Sequence, residues 1–213
     1  MIKEILIRLT QHEKLSRQEA KEALLFIGSG AGNPYQITAF LSVFMMRSIA
    51  VEELAGFRDA LLALCVSVDL SAYNPIDLCG TGGDGKDTFN ISTLSSFVTA
   101  GSGVHVAKHG NYGVSSSCGS SNVMEYLGVR FSNDVDFLEK CIDTAGICVL
   151  HAPLFHPAMK HVAPIRRALQ LKTFFNMLGP LVNPCTPKQQ IVGVFNLALL
   201  RLYHFLFQDT DTN

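Results

Sequence analysis

No apolar run in this 213-residue chain reaches the roughly 18 residues of a membrane span; the run ALLALCVSVDL stops at Asp69. The amphipathic, charged start MIKEILIRLTQHEKLSRQE has neither a signal-peptide core nor a cleavage site. The six cysteines, at 65, 79, 118, 141, 148 and 185, form no CxxC pair. That spacing, in mostly apolar surroundings, favours reduced thiols in a cytoplasmic protein over a disulfide framework or a zinc site. HExxH is absent, and His151, His156 and His161 stand five apart, so one helical face does not gather them for a metal. Neither GxGxxG nor GxxxxGK[ST] occurs. One further absence has a direction. From Thr144 to Gln208 there is no Asp or Glu, although Lys160, Arg166, Arg167, Lys172, Lys188 and Arg201 lie there. Residues 1–143 carry 16 acidic and 11 basic side chains. The net charge of −1 is therefore unevenly spread, and the acid-free segment is expected to face an anion. No dense basic stripe marks a nucleic-acid surface.

A hydrophobic content of 48% calls for a sizeable buried core. The first seventy residues read as four amphipathic helices. Ser16 and Glu19 form a capping box, with Ala20, Ala23, Leu24 and Ile27 following at helical spacing up to Gly28. Asn33 and Pro34 read as cap and first position of the next helix. Apolar faces left over would serve a dimer interface or pack on the following domain. After SAYNP the rhythm turns to short apolar strands alternating with helices: PIDLC, VHVAKHG, ICVLHA and QIVGVF. This predicts an α/β fold, with a small N-terminal α-helical domain (1–70) before a larger α/β domain (71–213). Its central sheet is mostly parallel and incomplete, with ligands at the strands' carboxyl ends. Asn122 is read as the cap of the helix NVMEYLG, with Glu125 reaching back, and HPAMKHVAPIRRAL as one helix.

Three clusters carry chemistry. In IDLCGTGGDGKDTFNIST four glycines fall within Gly80–Gly85, between a strand and a helix. Such a loop is either a tight turn or a phosphate cradle of backbone amides. Thr88, Asn90, Ser92 and Thr93 add neutral donors where the helix dipole also favours anions. Asp84 does not suit a bare phosphate; a sugar phosphate chelated by magnesium would accept it, through ribose hydroxyls and a hard oxygen ligand such as Ser92. In VAKHGNYGVSSSCGSS, Lys108, His109 and Asn111 end a strand before the run Ser115–Ser121, either an anion clamp or a polar surface loop. In the third cluster Arg166 is a bidentate partner for a carboxylate. Met159, Phe174 and Phe175 beside it line a flat aromatic pocket or belong to the core.

GTGGD, TFNIST, KHGN and HPAMK stand together in an order and spacing that resemble the anthranilate phosphoribosyltransferase family of tryptophan biosynthesis, over nearly the whole chain. The resemblance implies transfer of the phosphoribosyl group of 5-phosphoribosyl 1-pyrophosphate to the amine of anthranilate. It implies Mg²⁺ and a homodimer built through the N-terminal helices. By position it assigns Gly80, Gly83, Asp84, Thr88, Asn90, Ile91, Ser92, Thr93, Lys108, His109, Gly110, Asn111, Tyr112, Gly113, Val114, Ser115, Ser116 and Ser120 to the ribosyl donor. Gly80, Asn111, Arg166 and Gly179 fall to anthranilate, and Ser92 also to the metal; no general base is assigned. Tyr112 stands where the family commonly has arginine, and Asn122 where it commonly has aspartate. The family's acidic Asp-Glu pair, which holds magnesium, would lie beyond residue 213. The expectation is therefore a C-terminally truncated chain without full catalytic competence. A nucleoside phosphorylase of the same fold is the alternative enzyme, although its glycine loop differs from GTGGDG. A non-catalytic binding protein of this fold is the alternative of another class.

Overall fold

The computed structural model describes residues 1–213 apart from 84, 86, 87, 114–117, 209, 211 and 213. The N-terminal part consists of α1 (Ile2–Thr10), α2 (Arg17–Gly28), α3 (Pro34–Met46) and α4 (Val51–Leu64). The expected caps are present. Glu19 N donates to Ser16 Oγ at 3.3 Å and Ser16 N to Glu19 Oε2 at 2.9 Å, while Asn33 Oδ1 accepts from Tyr35 N at 2.9 Å ahead of Pro34. α2 buries Ala20, Ala23, Leu24 and Ile27, the positions its periodicity selects. α4 approaches it at Gly56, where a Cβ would run into the Arg17 carbonyl and the Ala20 methyl.

Four phenylalanines centre this core. Phe57 and Phe174 stack at 4.3 Å, and Phe40 and Phe44 meet them edge-on at 5.3–6.1 Å. Full burial contributes about 1.5–3 kcal/mol per such side chain, and each ring pair about 0.5–1.5 kcal/mol more. The same core takes in Val162, Phe175, Leu178, Leu181, Leu199 and Tyr203. The helices therefore spend much of their apolar surface on the C-terminal third of the chain. Tyr35 and Met46 remain largely exposed on α3.

Among the described residues four strands form one parallel sheet in the order β3-β2-β1-β4. They are β1 (Ile76–Gly80), β2 (Val106–Gly110), β3 (Ile147–His151) and β4 (Gln189–Gly193). α5 (Ile91–Gly101) connects β1 to β2. α6 (Ser120–Tyr126) and α7 (Val135–Ala145) lie between β2 and β3. α7 is capped by Asp134, which accepts from Phe137 N at 2.9 Å, and ends at Gly146 with φ +71°. Because all strands run one way, Gly80, Gly110, His151 and Gly193 finish on one edge of the sheet.

Two local expectations are corrected. Asn122 does not cap α6: Gly119 is the cap, and Asn122, three residues in, reaches back to it. The segment from His156 to Leu169 is not one helix. It follows a short α8 (Ala152–Phe155), makes a 3-10 turn over Pro157–His161 and restarts as α9 (Ala163–Leu169). Pro164, near the start of α9, has no N–H for a continuous ladder, so the chain breaks ahead of it. α10 (Phe175–Leu178) and α11 (Leu197–Gln208) complete the chain.

Candidate active site

The carboxyl ends of β1 and β2 deliver two of the three predicted clusters to one place. Gly80 ends β1 opposite Gly193, and Thr81 N donates to Gly193 O at 3.0 Å. A Cβ on Gly80 would lie 3.6 Å from Ser92 Oγ, in ordinary contact, which places that hydroxyl beside the strand end. Gly82, Gly83 and Gly85 have φ of +62°, +78° and +69°, which a residue with a side chain seldom adopts. Asp84 lies outside the described residues. The Gly83 carbonyl accepts from Lys172 Nζ at 2.6 Å. A cation of the acid-free segment thus reaches the glycine loop from 89 residues away.

α5 begins beside this loop. Asn90 is its cap through the main chain, Leu94 N donating to Asn90 O at 3.0 Å, and its side chain extends toward Cys118 Sγ at 3.9 Å. Thr88 and Ile91 are exposed and Ser92 half-buried. Thr93 is buried, so its hydroxyl is not offered at the surface as the donor run led one to expect.

At the end of β2 the side chains diverge from the sequence picture. Lys108 is not a charge projecting from the strand: it is 2% exposed, and its ammonium donates to Leu78 O at 2.8 Å. β2 lies between β1 and β3, and the buried Asp77 on β1 supplies the neighbouring opposite charge. Asp77 also accepts from His109 N at 3.2 Å and Gln190 Nε2 at 3.3 Å. Burial pushes the Asp77 carboxyl up and the Lys108 ammonium down, while each favours the charged form of the other.

His109 joins the second and third clusters. Its Nδ1 donates to Gly179 O at 3.1 Å, and its ring lies 5.3 Å from that of His156. His156 in turn hydrogen-bonds Val182 O at 3.0 Å through Nε2. His109 Nε2 and His156 Nδ1 are buried with no partner among the described residues. Burial, then the neighbouring His156, lowers the His109 pKa to about 3. In the unfolded chain it returns to about 6.5, so its contribution is complete above that pH and is lost as pH falls toward 3. Between pH 7 and 5 this one group is expected to remove about 2 kcal/mol of stability. A His109→Gln variant should show a correspondingly flatter fall in urea-unfolding free energy between those pH values; an unchanged slope contradicts the assignment.

Beyond Gly110, Asn111 Oδ1 accepts from Tyr112 N at 2.8 Å, and Ser120 Oγ accepts from Asn111 N at 3.2 Å. Gly110 also lies directly under the Ser120 hydroxyl. Val114, Ser115 and Ser116 lie outside the described residues. In the third cluster Arg166 is half-buried, 5.2 Å over the Phe175 ring, with Nη2 donating to Asn176 Oδ1 at 3.3 Å. Its Nε has no partner among the described residues. Phe174 belongs to the aromatic core; Phe175 is the ring beneath the guanidinium.

Reasoning from the sequence overlooked Asp77, the placing of Lys172, and His156 as the neighbour of His109. A signal existed for the first: an aspartate between Ile76 and Leu78 in a buried strand is costly unless partnered.

The described residues include no group of three or more His, Cys, Asp or Glu able to cage a metal. The half-buried Ser92 hydroxyl beside Gly80 is a hard-oxygen donor of the type that suits a magnesium ion holding most of its ligands from elsewhere.

A helical bundle joined to a parallel sheet, with a glycine loop and a helix start at the sheet's carboxyl edge, makes a two-part α/β protein with its candidate site at that edge. The chain belongs to the glycosyl transferase family, matching its helical bundle domain over residues 3–65 and its a/b domain over residues 72–213. It is similar to the anthranilate phosphoribosyltransferase of Flavobacterium psychrophilum, at 72% identity over 212 residues, covering 100% of this chain and 64% of that protein. The one from Bacteroides thetaiotaomicron is 55% identical over 211 residues, covering 99% and 64%. Among solved structures, the Saccharomyces cerevisiae anthranilate phosphoribosyltransferase in complex with PRPP and Mg matches with a TM-score of 0.87 at 30% identity, covering 97% of this chain and 61% of that one. The enzyme from Thermus thermophilus matches with 0.82 at 35% identity, covering 93% and 63%. The chain thus spans about 64% of the length of the curated relatives it matches. No helix among the described residues is long and apolar enough to cross a membrane.

Proposed function

We propose that the whole protein transfers the phosphoribosyl group of phosphoribosyl pyrophosphate to the amine of anthranilate, a step of tryptophan biosynthesis carried out in the cytoplasm. The observation that carries this reading is the meeting of glycine loop, Ser92 and the His109–Gly179 contact at one sheet edge, together with a half-buried arginine that has no acidic partner among the described residues. The glycine loop and the start of α5, Gly80 to Thr93, would hold the donor's phosphates, with the turn from His109 to Ser120 closing on its other side. Magnesium held by Ser92 would neutralise charge on the departing pyrophosphate. Arg166 would pair with the anthranilate carboxylate, near Asn111 and Gly179. Lys108 would act from within the sheet, by fixing the end of β2 against Asp77.

The anthranilate nitrogen forms its bond to the anomeric carbon as the bond to pyrophosphate breaks, and the ammonium proton then leaves to solvent. The transition state is oxocarbenium-like, so orientation and charge stabilisation suffice and no dedicated base is assigned. Residues 1–70 would form the homodimer contact, supported by the exposed Tyr35 and Met46 on α3. Residues 71–213 would form most of the donor-binding domain.

The test is to incubate the full-length protein with anthranilate, phosphoribosyl pyrophosphate and Mg²⁺ and follow anthranilate fluorescence. Loss of fluorescence that stops on chelating Mg²⁺ is expected. Phosphorolysis of a nucleoside, with anthranilate untouched, would transfer the site to the alternative enzyme of this fold.

A further inference from the structure

The turn that leaves β2 is fastened by a side chain that needed no such role as a helix cap. Asn122 Oδ1 accepts from Gly113 N at 3.1 Å on the outgoing limb and from Gly119 N at 2.9 Å on the returning one. Asn111 O accepts from Ser121 N at 3.1 Å just below. The limbs touch closely: a Cβ on Gly119 would meet the Asn111 carbonyl and the Gly113 amide. A second fastening lies one turn further along α6, where the Tyr112 hydroxyl donates to Glu125 Oε1 at 2.6 Å. The Tyr112 ring meets His151 edge-on at 4.9 Å. His151 itself stacks on Phe131 at 4.2 Å and pairs with the Ser121 hydroxyl at 2.8 Å, so the tyrosine closes on a fixed surface.

We propose that Asn122, assisted by Tyr112 through Glu125, is a positioning residue for the ribosyl donor: it holds the two limbs of this turn together so that Gly110, Asn111 and Ser120 converge. The inference rests on the donor-binding reading above. Its physical basis is preorganisation. One amide oxygen bonded to both limbs removes freedom that donor binding would otherwise have to remove, and this affects binding more than the chemical step. Asn122 and Tyr112 are thus the two side chains that make the fastening. An aspartate at 122 would offer the same acceptor, whereas an alanine offers none.

The test uses the full-length protein with Asn122→Ala, Asn122→Asp and Tyr112→Phe. In Asn122→Ala the KM for phosphoribosyl pyrophosphate should rise roughly tenfold with kcat within about threefold, since two hydrogen bonds to backbone amides are lost. Tyr112→Phe should raise it about threefold, and Asn122→Asp should remain close to wild type. Hydrogen exchange at the Gly113 and Gly119 amides should accelerate in Asn122→Ala and stay slow in Asn122→Asp, whatever the turnover. Slow exchange in Asn122→Ala, equal impairment of Asp and Ala variants, or faster exchange with donor KM unchanged would each overturn the proposal. A wild-type protein without turnover would count against the functional reading alone, because exchange still reports on the fastening.

Discussion

Replacing Glu53 by alanine should lower the unfolding free energy by about 3–5 kcal/mol, the usual cost of removing one partner from a buried ion pair. Glu53 is fully buried on α4, and four donors converge on its carboxylate. Oε1 accepts from Leu15 N at 2.9 Å and Arg47 Nη2 at 2.5 Å; Oε2 accepts from Ala50 N at 2.8 Å and Arg47 Nη1 at 2.9 Å. The side chain therefore ties the α1–α2 connection and the α3–α4 connection to one helix. Alanine leaves Arg47, whose side chain is 15% exposed, without its counter-charge. It also strands two amides. Part of the guanidinium's surroundings survives, since it lies 4.6 Å over the Phe44 ring. Replacing both charges, Glu53→Met with Arg47→Met, should recover a large share of the loss, because no unpaired charge then remains. Urea-unfolding free energies of the single and double variants decide the matter. A Glu53→Ala cost below about 1 kcal/mol would place the pair with surface salt bridges instead.

Arg166→Ala should raise the KM for anthranilate about 100-fold while changing that for phosphoribosyl pyrophosphate less than about threefold. Its guanidinium is half-buried against Phe175, is held on one side by Asn176, and presents an Nε without a partner among the described residues. Burial lowers its pKa, with no carboxylate among the described residues acting in the opposite direction. Such a group gains more than a solvated arginine from a planar carboxylate that bonds it through two nitrogens. Lysine at 166 should therefore restore the charge but only a minor part of the affinity. Lys108→Ala should act in the other direction, on the donor, and also on stability, because the Lys108 ammonium is buried beside Asp77. Equal losses for both substrates in Arg166→Ala would remove the anthranilate role.

Local chemistry in this chain could be read from the sequence where a residue answers to its neighbours. Ser16 with Glu19 and Asn33 with Pro34 follow from backbone groups a few residues away, and both lie where expected. Reading fell short at α6, because the serine-glycine run offers several possible starts and only the fold selects Gly119. It fell short again over 157–169, where apolar spacing outweighed the missing amide of Pro164. The site was legible as three clusters but not as one assembly. Lys172 reaches Gly83, His109 reaches Gly179 and Asp77 faces Lys108 through pairs set by sheet order. Lys108 shows the difference most clearly. Next to small polar residues it resembles an exposed anion ligand, yet its side chain is buried, with the ammonium on the Leu78 carbonyl and Asp77 as the neighbouring charge.

The most direct measurement of the proposed transfer follows anthranilate and pyrophosphate together in one reaction of the full-length protein with phosphoribosyl pyrophosphate and Mg²⁺. One pyrophosphate is expected to be released for each anthranilate consumed. Pyrophosphate released without loss of anthranilate, or no release at all, would contradict that transfer.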